Sequence, residues 1–238
     1  MGAKCFSLRQ KGRDYERFMP DPEFAWREPD PRDEYGLVAL DRTLTADRVI
    51  AAYRRGIFPW PSSSTGNAAI PWVCPKRRAV LDFDRLHVTK SLGKSQRRLG
   101  HLRFTMDAAF SQVIRAAAAA PRPGQDGTWI TSAMVETYIE VHRRGNAHSV
   151  EAWSGTELVA GLYGVSAGGV FTGESMFTRL TDASKLCVLW LVERLREKGA
   201  TWIDVQVITP HFAMMGAREI AREDYLARLA GATALSLP

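Results

Sequence analysis

The sequence predicts an α+β fold built on a mixed, mainly antiparallel sheet. Three observations carry that expectation. The runs AHSVEAW, ELVAGLYGV and GGVFTG follow one another between residues 147 and 173, with short turns at Ser154-Gly155 and Ala167-Gly168, so they read as antiparallel neighbours. DASKLCVLWLVERLREKG (182–199) then reads as a helix and TWIDVQV as a strand, and a helix between strands permits a crossover to a parallel partner. With 238 residues, 45% of them hydrophobic, the chain can bury a real core in one large domain or two small ones.

Residues 1–35, rich in proline and charge, predict an irregular arm. TADRVIAAYRRG (45–56) is a helix: Thr45 is placed to cap it, Val49, Ile50 and Tyr53 share a face, and Gly56 ends it. IFPWPSSSTGNAAIPW is too rich in proline and serine for an element, yet it carries Phe58, Trp60 and Trp72, which must pack on the body or line a site. RRAVLDF (77–83) predicts a strand, TKSLGKSQRRL a short basic helix, and DAAFSQVIRAAAAA (107–120) a helix that stops at the loop PRPGQDG. TSAMVETYIEVHRRG (131–145) is amphipathic, with Met134, Val135, Tyr138 and Val141 on its apolar side. REDYLARLA is the last helix. The order of helix, three strands, helix, strand and helix in the second half is similar to that of the GNAT acetyltransferase fold.

Composition excludes several classes. No run approaches the ~18 apolar residues of a membrane span, and the charged N-terminus has no secretory signal pattern. Cys5, Cys74 and Cys187 are odd in number and widely spaced, which predicts neither a disulfide framework nor a zinc site and fits the reducing cytoplasm. The five histidines show no metal-ligand spacing, so no metal is expected. Net charge is +6. Much of it falls between Lys76 and Arg103, where Lys76, Arg77, Arg78, Arg85, Lys90, Lys94, Arg97, Arg98 and Arg103 face only Asp82 and Asp84. Such a window attracts phosphates or is a solvated helix face, and composition alone leaves the two readings even.

GESMF lacks the second glycine of a nucleophile elbow, and no Asp–His pair can be assigned to Ser175 as a nucleophile. Glu174 ends an apolar strand just after Gly173, where a carboxylate is costly unless solvated or paired. In IDVQV the two-residue period puts Asp204 and Gln206 on one face and Ile203, Val205 and Val207 on the other. A half-buried strand ordinarily exposes such a polar pair to solvent; the alternative is an acceptor pair beside a reacting amine. The turn TRLTDASK has no glycine, so a pyrophosphate cradle for acetyl-CoA is not expected, and no cofactor is.

Taken in order, GLVAL, AYRRGIFPW, PWVCPKRRAVL, LHVTKSL, GTWITSAM, YIEVHRRGNAHSVEAW, LVAGLYGV, FTGESMF, DASK, IDVQVITPH and MGAREIAREDYL resemble the leucyl/phenylalanyl-tRNA–protein transferases, from Gly36 to Leu229. The resemblance implies a small N-terminal domain (36–74) on a GNAT-like aminoacyl-transfer domain (75–238), without acetyl-CoA or metal. It implies transfer of leucine, phenylalanine or methionine from aminoacyl-tRNA to an N-terminal arginine or lysine, in the bacterial N-degron pathway. It places Asp204 and Gln206 at the reaction centre and Glu174 near the 3′-adenosine and aminoacyl group. Trp60, Trp129, Tyr138 and Phe171 match residues around the adenosine and the amino-acid pocket, with Met176 and Ser175 beside them. Lys76, Arg77, Lys90, Lys94, Arg97 and Arg98 would hold acceptor-stem phosphates, contacts that position without reading sequence. Two departures stand out: DRTL (41–44) replaces the usual GGDL, and Trp72-Val73 replaces a tryptophan pair. A relative that acylates a small peptide or amine in natural-product assembly, or an idle tRNA-binding module, would share this profile.

Overall fold

Threonine side chains start several of the helices. Thr45, Thr89, Thr131 and Thr209 each accept a hydrogen bond from the backbone N–H three residues on, and each such cap is worth about 1 kcal/mol. The computed structural model describes residues 26–60, 69–121 and 128–232. Within them the helices are α1 (Ala46–Tyr53), α2 (Lys90–Arg98), α3 (Phe110–Ala119), α4 (Ser132–Arg143), α5 (Ala183–Glu197), α6 (Pro210–Met214) and α7 (Arg222–Ala230). The strands are β1 (Leu37–Asp41), β2 (Phe58–Pro59), β3 (Ile70–Val73), β4 (Arg77–Asp82), β5 (Arg103–Met106), β6 (Ala147–Ser154), β7 (Glu157–Ala167), β8 (Val170–Thr178), β9 (Trp202–Gln206) and β10 (Arg218–Ala221).

The strands form two sheets. The small one has the order β1-β3-β2 and the large one β10-β4-β9-β8-β7-β6-β5. Every pairing is antiparallel except β8 with β9, which α5 joins by crossover. This is the mixed, mainly antiparallel α+β architecture expected. One core joins α1, α3 and α4 to the large sheet through Val49, Phe110, Tyr138 and Tyr163. On the other face α5 and α2 pack through Leu186, Leu191, Leu195 and Leu92. A smaller cluster of Val80, Trp202, Ile220, Tyr225 and Leu229 seats α7.

Several expectations change. The proline-rich stretch after α1 does carry elements, because Phe58 and Pro59 pair with Val73 and Trp72; its serine-rich centre, like Arg122–Gly127, lies outside the described residues, as do 1–25 of the arm. The helix expected from Asp107 begins at Phe110. The Asp107 carboxylate instead accepts from the Ser149 N–H at 2.8 Å and lies 2.6 Å from His148 Nδ1. The strand expected to stop at Gly173 continues to Thr178. Val207 lies beyond β9 and is 39% exposed rather than packed with Ile203 and Val205. The two departures, DRTL and Trp72-Val73, meet: buried Asp41 accepts from Trp72 Nε1 at 2.6 Å and pairs with buried Arg48 at 2.8 Å.

Candidate active site

A β-bulge at Glu174 organises the site. Gly164 pairs with Gly173 and Tyr163 with Ser175, which leaves Glu174 as the extra residue. The bulge reverses the alternation of side chains along β8. Phe171 and Met176 therefore pack on the α5 face although an unbroken strand would put them on opposite faces, while Phe177 joins the α1/α4 core. Glycine is required opposite: a Cβ on Gly164 would stand 2.3 Å from the Thr172 carbonyl oxygen and 2.5 Å from the Phe171 ring.

The released Glu174 side chain turns toward α1 and α4. Tyr53 donates to its Oε1 at 2.5 Å and Tyr138 to its Oε2 at 3.2 Å, and the two hydroxyls lie 3.0 Å apart. Gln206 Nε2 reaches the same carboxylate from β9 at 2.5 Å. That contact spans the place where β8 and β9 part, since Thr172 with Asp204 is their one register pair among the described residues. Burial raises the Glu174 carboxyl to about 7; the Tyr53 and Tyr138 hydroxyls oppose the shift, nearby Asp204 adds to it and Arg78 subtracts. Burial, and then the Glu174 charge, push both tyrosines well above the ordinary phenol range, so both remain hydroxyls.

Asp204 is buried, not solvent-facing. Arg78 grips it with Nε at 2.9 Å and Nη2 at 2.5 Å, Tyr225 donates at 3.0 Å and Thr172 at 3.1 Å. Burial works against the Arg78 charge, but the adjoining carboxylate overrides it, and the net shift is upward. Asp204 Oδ1 also accepts the Gln206 backbone N–H at 2.8 Å. Gln206 has a left-handed φ of 62°, and Val207 N–H closes onto the Val205 carbonyl at 2.7 Å, a tight turn centred on Gln206. Such a backbone costs a non-glycine residue about 1–2 kcal/mol, and Asp204 is the group that holds it.

The remaining expected residues divide. Half-buried Trp60 and Trp129 pack on the same core as Tyr53 and Tyr138, and Trp60 meets Tyr35 at 5.5 Å. Ser175 stands opposite Tyr163 in register. Phe171, 1% exposed, and half-buried Met176 lie across the sheet from Glu174's tyrosines. The basic window also splits, between the two ends of β4, which are roughly 17 Å apart at ~3.3 Å per residue. Lys90, Lys94, Arg97 and Arg98 are exposed along α2, which Ser95 anchors to Asp182 before α5 at 2.7 Å. At the opposite end, Lys76 and Arg77 line a cavity of about 660 Å³ with Trp26, Arg55 and Arg222. Arg78 leaves the window altogether, being buried against Asp204.

The family model described as leucyl/phenylalanyl-tRNA protein transferase matches residues 80–230, and that of its N-terminal domain matches residues 42–76. The chain belongs to the leucyl/phenylalanyl-tRNA protein transferase family. The leucyl/phenylalanyl-tRNA–protein transferase of Anaeromyxobacter sp. (strain Fw109-5) is 49% identical over 210 residues, covering 88% of this chain and 85% of its own. That of Pseudomonas fluorescens (strain Pf0-1) is 52% identical over 200 residues, covering 83% and 86%. A conserved protein of Staphylococcus epidermidis, at a TM-score of 0.34 and 7% identity over 77% of this chain and 67% of its own, is too distant to bear on the fold. Four groups of this site did not stand out in the sequence: Tyr53, Arg78, Thr172 and Tyr225. Tyr53 was visible as part of an apolar helix face, but its hydroxyl partner lies 121 residues away.

Proposed function

We propose that the chain transfers leucine, phenylalanine or methionine from aminoacyl-tRNA to the N-terminal arginine or lysine amine of a protein, forming a peptide bond. The family membership supports this reading. The single structural observation that carries it is the Glu174–Gln206 contact at the opening between β8 and β9. An aminoacyl ester is already activated, so neither ATP nor an enzyme nucleophile is needed. The enzyme aligns the amine with the ester carbonyl and stabilises the charge that develops. In this reading Gln206 accepts a hydrogen bond from the attacking amine, and Asp204 positions Gln206 through its backbone while its negative charge lies behind it. Trp60, Trp129 and Tyr138 border the terminal adenosine, Phe171 and Met176 the amino-acid side chain, and Ser175 lies beside them.

Exposed α2 is the proposed phosphate rail, through Lys90, Lys94, Arg97 and Arg98, with Lys76 and Arg77 as a second contact. The reading includes a small N-terminal domain, a GNAT-like transfer domain and a cytoplasmic location. The order α4, β6, β7, β8, α5, β9 and the parallel β8/β9 pairing support the GNAT likeness. No described helix is long and apolar enough to cross a membrane. A small amine as acceptor, or an idle tRNA-binding role, has no observation of its own. The test offers the protein labelled leucyl- or phenylalanyl-tRNA and a peptide beginning with arginine. Label is expected in the peptide; its loss from tRNA without appearance there would overturn the reading.

A further inference from the structure

Forming the peptide bond releases a proton from the amine, and the departing ribose oxygen requires one. Three polar groups stand at the opening, and they differ in their ability to carry it. Gln206 is a neutral amide, whose oxygen holds a proton only in strong acid. Asp204 is 0% exposed, and its oxygens are taken by Arg78, Tyr225, Thr172 and the Gln206 N–H. It is the ion-pair partner of the buried Arg78 guanidinium, and breaking a buried pair is strongly unfavourable. Among the described residues no histidine ring hydrogen-bonds Glu174 or Gln206: His142 stacks on Phe110, His148 meets Asp107, and His211 packs on Phe212.

Glu174 differs from both. Its hydrogen-bond partners are Tyr53 of α1, Tyr138 of α4 and Gln206 of β9, all neutral. It can lose its charge without stranding a cation. The tyrosine pair can absorb the change, because either hydroxyl can be the donor in their mutual contact at 3.0 Å. When Glu174 becomes an acid, one hydroxyl turns from donating to accepting. Gln206 uses Nε2 on Glu174, which leaves Oε1 for the amine and holds that amine beside the carboxylate.

We propose that Glu174 carries the proton of the transfer, with Tyr53 and Tyr138 as its positioning residues. The inference rests on the reading of function above. As the amine nitrogen bonds to the ester carbon, its proton passes to the Glu174 carboxylate. As the carbon–oxygen bond to the ribose breaks, Glu174 returns that proton to the leaving oxygen. The electron pair of the broken bond stays on that oxygen, and the enzyme ends as it began. The charged and titratable groups facing Glu174 are Tyr53, Tyr138, Asp204 and Arg78; together with burial they set its carboxyl at about 7, where an acid–base group works best at neutral pH.

The experiment measures kcat and both KM values of the full chain against pH, with leucyl-tRNA and an arginine-starting peptide, for wild type, Glu174→Gln and Tyr53→Phe. Wild-type kcat/KM should fall on the acid side with a midpoint of about 7, the value of the free enzyme. Glu174→Gln should lose about 10²–10⁴-fold in kcat with both KM values held, and should lose that acid limb. Tyr53→Phe removes a donor that stabilises the carboxylate, so its acid limb should move upward. Wild-type kcat in Glu174→Gln would overturn the proposal, as would a raised KM for the tRNA with kcat intact, which makes Glu174 a binding group. An unmoved acid limb in Tyr53→Phe would overturn it as well, and this variant decides if Glu174→Gln fails to fold. A wild type that charges no peptide at all sinks the functional reading instead, a separate result.

Discussion

Asp204 and Glu174 sit on neighbouring strands among hydrogen-bond donors, Asp204 fully buried and Glu174 half-buried. Asp204 meets a cation, two hydroxyls and a backbone N–H. Glu174 meets two hydroxyls and an amide, with no hydrogen bond to an arginine among the described residues, and burial lifts its carboxyl to about 7. The two differ in partner as well as in depth. A buried carboxylate with a matched arginine is a fixed strut; one held by neutral donors keeps its proton negotiable.

The largest effect should come from removing the cation. Arg78→Met leaves Asp204 charged, buried and unpaired, and should cost about 3–5 kcal/mol in urea unfolding, with Arg78→Lys intermediate because it lacks the two-pronged grip. A cost near zero would erase the contrast between the two carboxylates. The second prediction concerns pH. Glu174 ionises at about 7 in the fold and near ~4.3 in an unfolded chain. The folded state therefore binds more protons across that interval, and this group's contribution to stability falls as pH rises through it. Glu174→Gln should flatten that slope and be more stable than wild type above pH ~7, read from denaturation midpoints at several pH values.

A smaller effect separates the Gln206 side chain from its backbone. Gln206→Ala and Gln206→Gly should both slow transfer, but the glycine variant should be about 1 kcal/mol more stable than the alanine one because it relieves the left-handed turn. Equal stability would mean that Asp204 does not hold a strained backbone. The smallest effect on folding, within about 0.5 kcal/mol, is expected for Lys94→Ala with Arg97→Ala on exposed α2. That pair should nevertheless weaken every tRNA alike and reduce the slope of log affinity against log salt by about 0.7–0.9 per lost phosphate contact. An unchanged slope would return α2 to ordinary surface.

Long, regular elements were legible in the sequence. Helix α4 announces itself by Thr131 and its apolar side, and β6 and β7 by alternating runs between short turns. The short strands β1, β2 and β10 were not announced by a period, and Pro71 disguises β3. Within the site, Glu174 and Gln206 stood out as polar residues on apolar strands. Arg78 did not, because Arg77 and Arg78 look alike in a basic run, and only the pairing of β4 with β9 turns one outward and the other onto Asp204. The joint role of Tyr53 and Tyr138 arises from α1 packing against α4, which neither helix announces alone.

The bulge in β8 works like a frameshift. One surplus residue changes which side chains count as odd and which as even, so Gly173 and Ser175 end up flanking a side chain that belongs to neither series. Removing a single residue there would restore perfect parity, keep Phe171 and Met176 on one face without the bulge, and leave a better-formed strand with no place for Glu174 to stand. The reactive corner of this fold is housed in an irregularity that a more regular sheet would have edited out.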